Sequence, residues 1–155
     1  MGSFIEGKKN QKQSEITMTE IEKTLENHQV RPTAMRILIY KYLAEKEVAV
    51  ALTDIESAFA KAERTTLYRT IKTFEENGIV HCIEDGTGIT KYALCEPGCN
   101  CELEQDLHLH FHCHNCDETV CLTEHKIPHI NLPDGYVAED ANLVLKGICE
   151  KCSGR

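Results

Sequence analysis

Apolar positions in the first two thirds of this chain recur at helical spacing, then switch to strand-like runs broken by glycine. Ile16, Ile21 and Leu25 suggest a first helix to about Gln29, and Arg31-Pro32-Thr33 breaks it. A second helix follows, with Ile37, Leu38, Tyr42 and Leu43 inward. Thr53-Asp54-Ile55-Glu56 has the form of a capping box and opens a short third helix through Phe59. A fourth helix is expected from about Thr65 to Asn77, with Leu67, Ile71 and Phe74 as its buried stripe and Asn77-Gly78 as its stop. Ile79 to Ile83, the tight Asp85-Gly86-Thr87-Gly88 and Ile89 to Leu94 read as a β-hairpin.

Beyond Cys95 the pattern changes. Cys95 to Asp106 is rich in Cys, Pro, Gly and acids, and reads as a hinge. Leu107 to Cys113, Glu118 to Leu122 and Asn142 to Ile148 alternate like strands, while Pro128 and Pro133-Asp134-Gly135 interrupt any long helix between them. The expected class is α+β: a winged helix-turn-helix domain, then a small strand-containing domain with a four-cysteine zinc site at Cys113, Cys116, Cys149 and Cys152. The boundaries are 1–14 for a mobile arm or in part an expression remnant, 15–94 for the winged-helix domain, 95–107 for the acidic hinge and 108–155 for the metal-binding domain. The last part is too small for a strong core of its own, so zinc and dimer formation are its expected supports.

Charge changes the picture of the front half. The chain carries a formal −8, but residues 1–94 are nearly neutral at −1 and residues 95–155 hold −7. Contact with nucleic acid must therefore come from local basic patches of the first domain. On the fourth helix Thr66, Tyr68, Arg69, Lys72 and Thr73 are exposed, with Arg64 at its start. Such a face either meets solvent or reads a major groove, and the hairpin that follows favours the groove. No apolar run approaches the roughly 18 residues of a membrane span. No secretory h-region follows Met-Gly-Ser, so the cytoplasm is expected.

Nine cysteines then set the chemistry. Cys113/Cys116 and Cys149/Cys152 form two Cys-x-x-Cys knuckles, the makings of a closed tetrahedral Zn²⁺ cage. Just ahead, His108 and His110 alternate on a strand and point to a second metal site beside the first. His112, His114, His125 and His129 read as surface residues. Cys99 and Cys101 form a Cys-x-Cys that could relay metal, act in redox chemistry, or be free loop thiols.

Taken in order, these segments resemble the ferric uptake regulator family of metal-dependent repressors. The resemblance rests on Val30-Arg31-Pro32-Thr33-Ala34-Met35-Arg36-Ile37-Leu38, Thr66-Leu67-Tyr68-Arg69-Thr70, and Phe74-Glu75-Glu76-Asn77-Gly78-Ile79-Val80. It continues through His108-x-His110-x-x-Cys113-x-x-Cys116 and Cys149-x-x-Cys152, covering about residues 18 to 152. It implies a homodimer, each subunit joining the winged-helix domain to a small α/β dimerisation domain, on a pseudo-palindromic DNA operator, with an arm role for Arg31 near the minor groove and groove contacts by Tyr68 and Arg69. The sequence departs from the iron-sensing pattern: Leu109 stands between the histidines, Ala93 where that pattern has Glu, and Ala141 near the place of a late His. The pattern of zinc-sensing relatives instead falls on His81, Cys95, His108 and His110, with Cys121 as a reserve ligand.

A zinc-responsive transcriptional repressor of metal-homeostasis genes is the leading expectation, with a structural Zn²⁺ and a regulatory Zn²⁺ or Fe²⁺. One alternative senses Fe²⁺ or peroxide, with Glu104 or Asp106 as oxygen ligands. Another is a zinc-stabilised adaptor that never reads DNA. An enzyme fits least, because no nucleophile–base pair is evident and no His-Glu-x-x-His is present. No small organic substrate is expected.

Overall fold

The computed structural model describes residues 16–95, 108–139 and 141–154, without the side chains of His108 and Lys126. The arm at 1–14 and the hinge residues Cys99, Cys101, Glu104 and Asp106 lie outside the described residues.

Helix α1 (Met18–Asn27) starts at Thr17, whose hydroxyl accepts the Glu20 amide while the Glu20 carboxylate accepts the Thr17 amide at 2.8 Å. This reciprocal cap fixes the start after Ile16, which stays outside the helix and exposed. Helix α2 (Ala34–Ala44) is capped by Thr33. Its run Ile37-Leu38-Ile39-Tyr40 is apolar on every side, so spacing could not choose the inner face. Ile37, Ile39 and Leu43 are buried, whereas Leu38, expected inward, is 49% exposed. The two-residue strand β1 (Val50–Ala51) runs straight into α3 (Leu52–Ala58). The helix therefore begins before Thr53, and the expected cap is replaced by another: the Asp54 carboxylate accepts the Ala51 amide at 2.9 Å. Asp54→Ala is expected to cost about 1 kcal/mol, the usual worth of one capping hydrogen bond. The urea midpoint should fall with the m value unchanged, and unaltered stability would deny Asp54 this role.

Helix α4 (Arg64–Glu76) buries Leu67, Ile71 and Phe74, the stripe its spacing predicts, each 1% exposed or less. These side chains meet Ile21, Leu25, Ile39 and Ile55 in one core, and Tyr40 packs edge-on to Phe74 at 6.5 Å. Strands β2 (Val80–Glu84) and β3 (Thr90–Leu94) pair as the expected hairpin, and β1 adds to β3, giving the antiparallel order β1-β3-β2.

A second sheet has the order β5-β4-β6, from β4 (His108–Cys113), β5 (Thr119–Lys126) and β6 (Val144–Gly147). Strand β4 is antiparallel to β5 and parallel to β6, and the short α5 (Glu150–Ser153) follows. Register pairs Leu109 with Leu122, and Phe111 with both Val120 and Leu145, so one face of this sheet is apolar. The other face carries His110, His112, Thr119 and Cys121 and meets the hairpin. No helix among the described residues is long and apolar enough to cross a membrane.

Candidate metal centres and nucleic-acid interface

The first knuckle is the turn between β4 and β5; the second lies at the start of α5. The parallel pairing of β4 with β6 brings Cys113 beside Gly147, and so Cys149 beside the first knuckle. The four sulfurs of Cys113, Cys116, Cys149 and Cys152 lie within 4.8 Å of one another. Cys116 and Cys149 Sγ are 3.8 Å apart, far beyond a disulfide bond. That is the spacing of two sulfurs on a tetrahedron with Zn–S near 2.3 Å, roughly 3.8 Å. The Cys149 amide donates to Cys113 Sγ at 3.3 Å and holds that thiol down at about 6. The Glu118 amide also favours a Cys116 thiolate, but partial desolvation and the crowding sulfurs push Cys116 up to about 12. Four thiolates at these distances need a cation to offset their repulsion, and the donor set fits Zn²⁺.

The second cluster joins the two sheets. His81 on β2 points Nε2 at His110 Nε2 (3.1 Å) and at Cys121 Sγ (3.2 Å). Ligand atoms around one tetrahedral Zn²⁺ would stand about 3.3–3.6 Å apart, so a small relaxation seats the ion. Cys121, expected only in reserve, is thus a full member, because it is the cross-strand partner of His110. Cys95 follows β3, tied by its amide to the Ile79 carbonyl, and its sulfur lies 3.4 Å from the other ring nitrogen of His81. It meets His81 from the far side of the ring, opposite the nitrogen that faces His110 and Cys121. The backbone of His108 opens β4, but its side chain lies outside the described residues. Among the described residues no carboxylate joins this cluster.

The basic residues of α4 divide by partner. Arg64 pairs with Glu56 at 2.7 Å, and Lys72 with Glu75 at 2.8 Å, with the Lys72 ammonium 5.8 Å from the centre of the Tyr68 ring. The Glu75 hydrogen bond raises the Lys72 ammonium above its ordinary value. Arg31, Thr66 and Arg69 line one open cleft of about 420 Å³ with Thr33, Arg36 and Thr73. Sequence reasoning did not single out Arg36, whose guanidinium donates to the Arg31 carbonyl at 2.9 Å and holds that turn. Its signal was its place within the Arg31-to-Arg36 segment. The cleft contains three guanidinium groups and no carboxylate among its lining residues, which suits phosphate.

The family model of the ferric uptake regulator family matches residues 27–134, well over half of the chain. The chain belongs to the ferric uptake regulator family. Its members are regulators of transcription, not enzymes. Similar solved structures include holo XcZur, with a TM-score of 0.64 at 18% identity, covering 89% of this chain and 97% of that one. A zinc uptake regulator complexed with zinc and DNA gives 0.63 at 18% identity over 88% of this chain and 93% of that one. The ferric uptake regulator from Pseudomonas aeruginosa with manganese gives 0.54 at 19% identity over 84% and 98%. At these identities the likeness is one of fold. Among curated protein sequences none matches this chain.

Proposed function

We propose that this regulator is a zinc-responsive, DNA-binding transcriptional repressor acting in the cytoplasm as a homodimer. One observation carries the reading: His81 stands on the hairpin of the α-helical half, while His110 and Cys121 stand on the second sheet, all within reach of one ion. His108 would supply the fourth ligand, or Cys95 if the His81 ring turns over on ligation. Ligation there ties β2 to β4 and β5, and so limits the angle at which α4 is presented. A bound Zn²⁺ supplies that cross-link; imidazole and thiolate donors suit it better than a hard-oxygen iron site. The four-cysteine cage is read as the structural zinc.

In this reading residues 15–94 are a winged helix-turn-helix domain with α4 in the major groove. Arg31, Thr66 and Arg69 meet the backbone or bases from their common cleft, while Arg64, Tyr68 and Lys72 flank it. The apolar face of the second sheet, where Leu143, Leu145 and Ile148 remain 42–53% exposed, is the dimer surface.

Operator affinity is the test, titrated on protein that keeps its cage zinc, with and without further zinc. Tighter binding with zinc supports the repressor reading, and equal affinity would sink it. Arg69→Ala should weaken binding at saturating zinc by about 1–3 kcal/mol and flatten its salt dependence, leaving zinc per chain unchanged. Affinity like the wild type's would take α4 out of the interface.

A further inference from the structure

Beside the metal cluster the same strands meet a second time, through polar groups alone. His112 and Thr119 are a cross-strand pair two residues along from His110 and Cys121 on the same sheet face. Both are buried, His112 at 4% exposed against the surface position its sequence suggested. From the hairpin turn comes Asp85, 1% exposed. Its Oδ1 accepts the Thr87 amide at 3.1 Å and the Thr87 hydroxyl at 2.5 Å. Its Oδ2 accepts the Thr119 hydroxyl at 2.7 Å and the Lys91 ammonium at 2.8 Å. Thr119 thereby uses its only proton, so His112 Nδ1, 2.9 Å from the same oxygen, must be the donor to it.

The connections continue outward. Lys91 Nζ also donates to the Asp117 carbonyl at 2.8 Å, and the Ala49 amide donates to the Thr119 carbonyl at 2.7 Å. Asn142 Nδ2 donates to the Glu84 carbonyl at 2.9 Å. Gly86 turns with φ +85°, and a Cβ there would run into the Lys146 ammonium. A carboxylate this buried is costly unless its lone pairs are filled, and here each oxygen accepts two bonds. Three of these four bonds come from the hairpin and one, from Thr119, comes from the second sheet. The contact is therefore made only when the two halves are closed on each other, the same closure that gathers His81, His110 and Cys121.

We infer that Asp85 is a positioning residue: with Thr119 and Lys91 it forms a metal-independent clasp that pre-closes the two halves and so sets the affinity of the His81–His110–Cys121 site. The inference rests on reading that cluster as the regulatory metal site. Its logic is that of a binding-competent fraction. When the closed form is already populated, ligation pays less to close it; when the clasp is lost, apparent affinity falls by that lost fraction. The clasp thus fixes the zinc concentration at which the regulator responds, without touching the ion.

The test uses the full chain carrying its cage zinc. Wild type, Asp85→Asn and Thr119→Val are compared in two measurements. One is competition for added zinc against a chromophoric chelator; the other is amide exchange at residues 84–91 before that zinc is added. Both variants should lose protection at 84–91 and bind the second zinc about tenfold more weakly, within the usual ~5- to 150-fold range of coupling between sites. Cage zinc should stay at the wild-type ratio. Thr119→Val keeps the Asp85–Lys91 pair, so it decides the matter if Asp85→Asn does not fold. Second-site affinity within twofold of wild type, despite lost protection, would overturn the clasp as a determinant of affinity. A wild type that takes up no second zinc would overturn the metal-site reading itself, and the clasp's role with it.

Discussion

Cys116→Ser should strip the zinc that the four-cysteine cage is proposed to hold and unfold the second sheet while leaving the helical half intact. The reason lies in where the core is. Among the described residues, every buried hydrophobic side chain but one belongs to positions 21–92; the exception is Cys113, itself a cage member. Strands β4 to β6 present an apolar face on which, among the described residues, Leu145 is half-exposed, and Ile130 and Tyr136 between β5 and β6 point outward. A sheet of this size gains little from burial, whereas zinc binding by such cages is worth about 10–16 kcal/mol in small peptides. The exposed thiol Cys116 is chosen because its removal costs no packing. Zinc per chain after chelation should fall to near zero, and amides of 108–154 should exchange freely while those of α4 stay protected. A variant retaining one resistant zinc would show that three thiolates suffice, or that the cage is not what holds this half.

How much of this could be read beforehand depends on whether a residue's environment is local. The α4 stripe was legible because Leu67, Ile71 and Phe74 are the only large aliphatic or Phe side chains on that helix. In α2 four consecutive apolar residues left the inner face undecided, and tertiary packing chose Ile39 over Leu38. The cage was legible because both knuckles are short-range motifs. The partner of His110 was not, since it depends on strand register. Yet the register follows from the knuckle: with Cys113 bonded to Glu118, counting outward places His112 opposite Thr119 and His110 opposite Cys121. That count would have promoted Cys121 and shown that His112 and His110 share a face. Asp85 was recognised only as a turn residue. Nothing local announces the bond that reaches its carboxylate from Thr119, 34 positions away.

His110→Ala should erase the response to zinc and nothing else. His110 is the side chain that faces His81 across the two sheets, and it is 8% exposed, so no neighbouring surface group can replace it. Without it the site would keep Cys121, His81 and the proposed fourth donor, one short of a closed tetrahedral set. The wild type should bind its operator about 5- to 150-fold more tightly with zinc than without. In the variant that ratio should fall to one, at the affinity of the zinc-depleted wild type, with one resistant zinc still present and the melting of the helical half unchanged. Cys121→Ser and Cys95→Ser then separate the two sulfurs. Cys121 lies 3.2 Å from the nitrogen that His81 aims at His110, whereas Cys95 lies 3.4 Å from the opposite one. Loss of Cys121 should therefore weaken the zinc response more than loss of Cys95. The reverse order would mean that ligation turns the His81 ring over, placing the ion on the Cys95 side of β2. A variant lacking His110 that still responds fully to zinc would place the sensing site elsewhere.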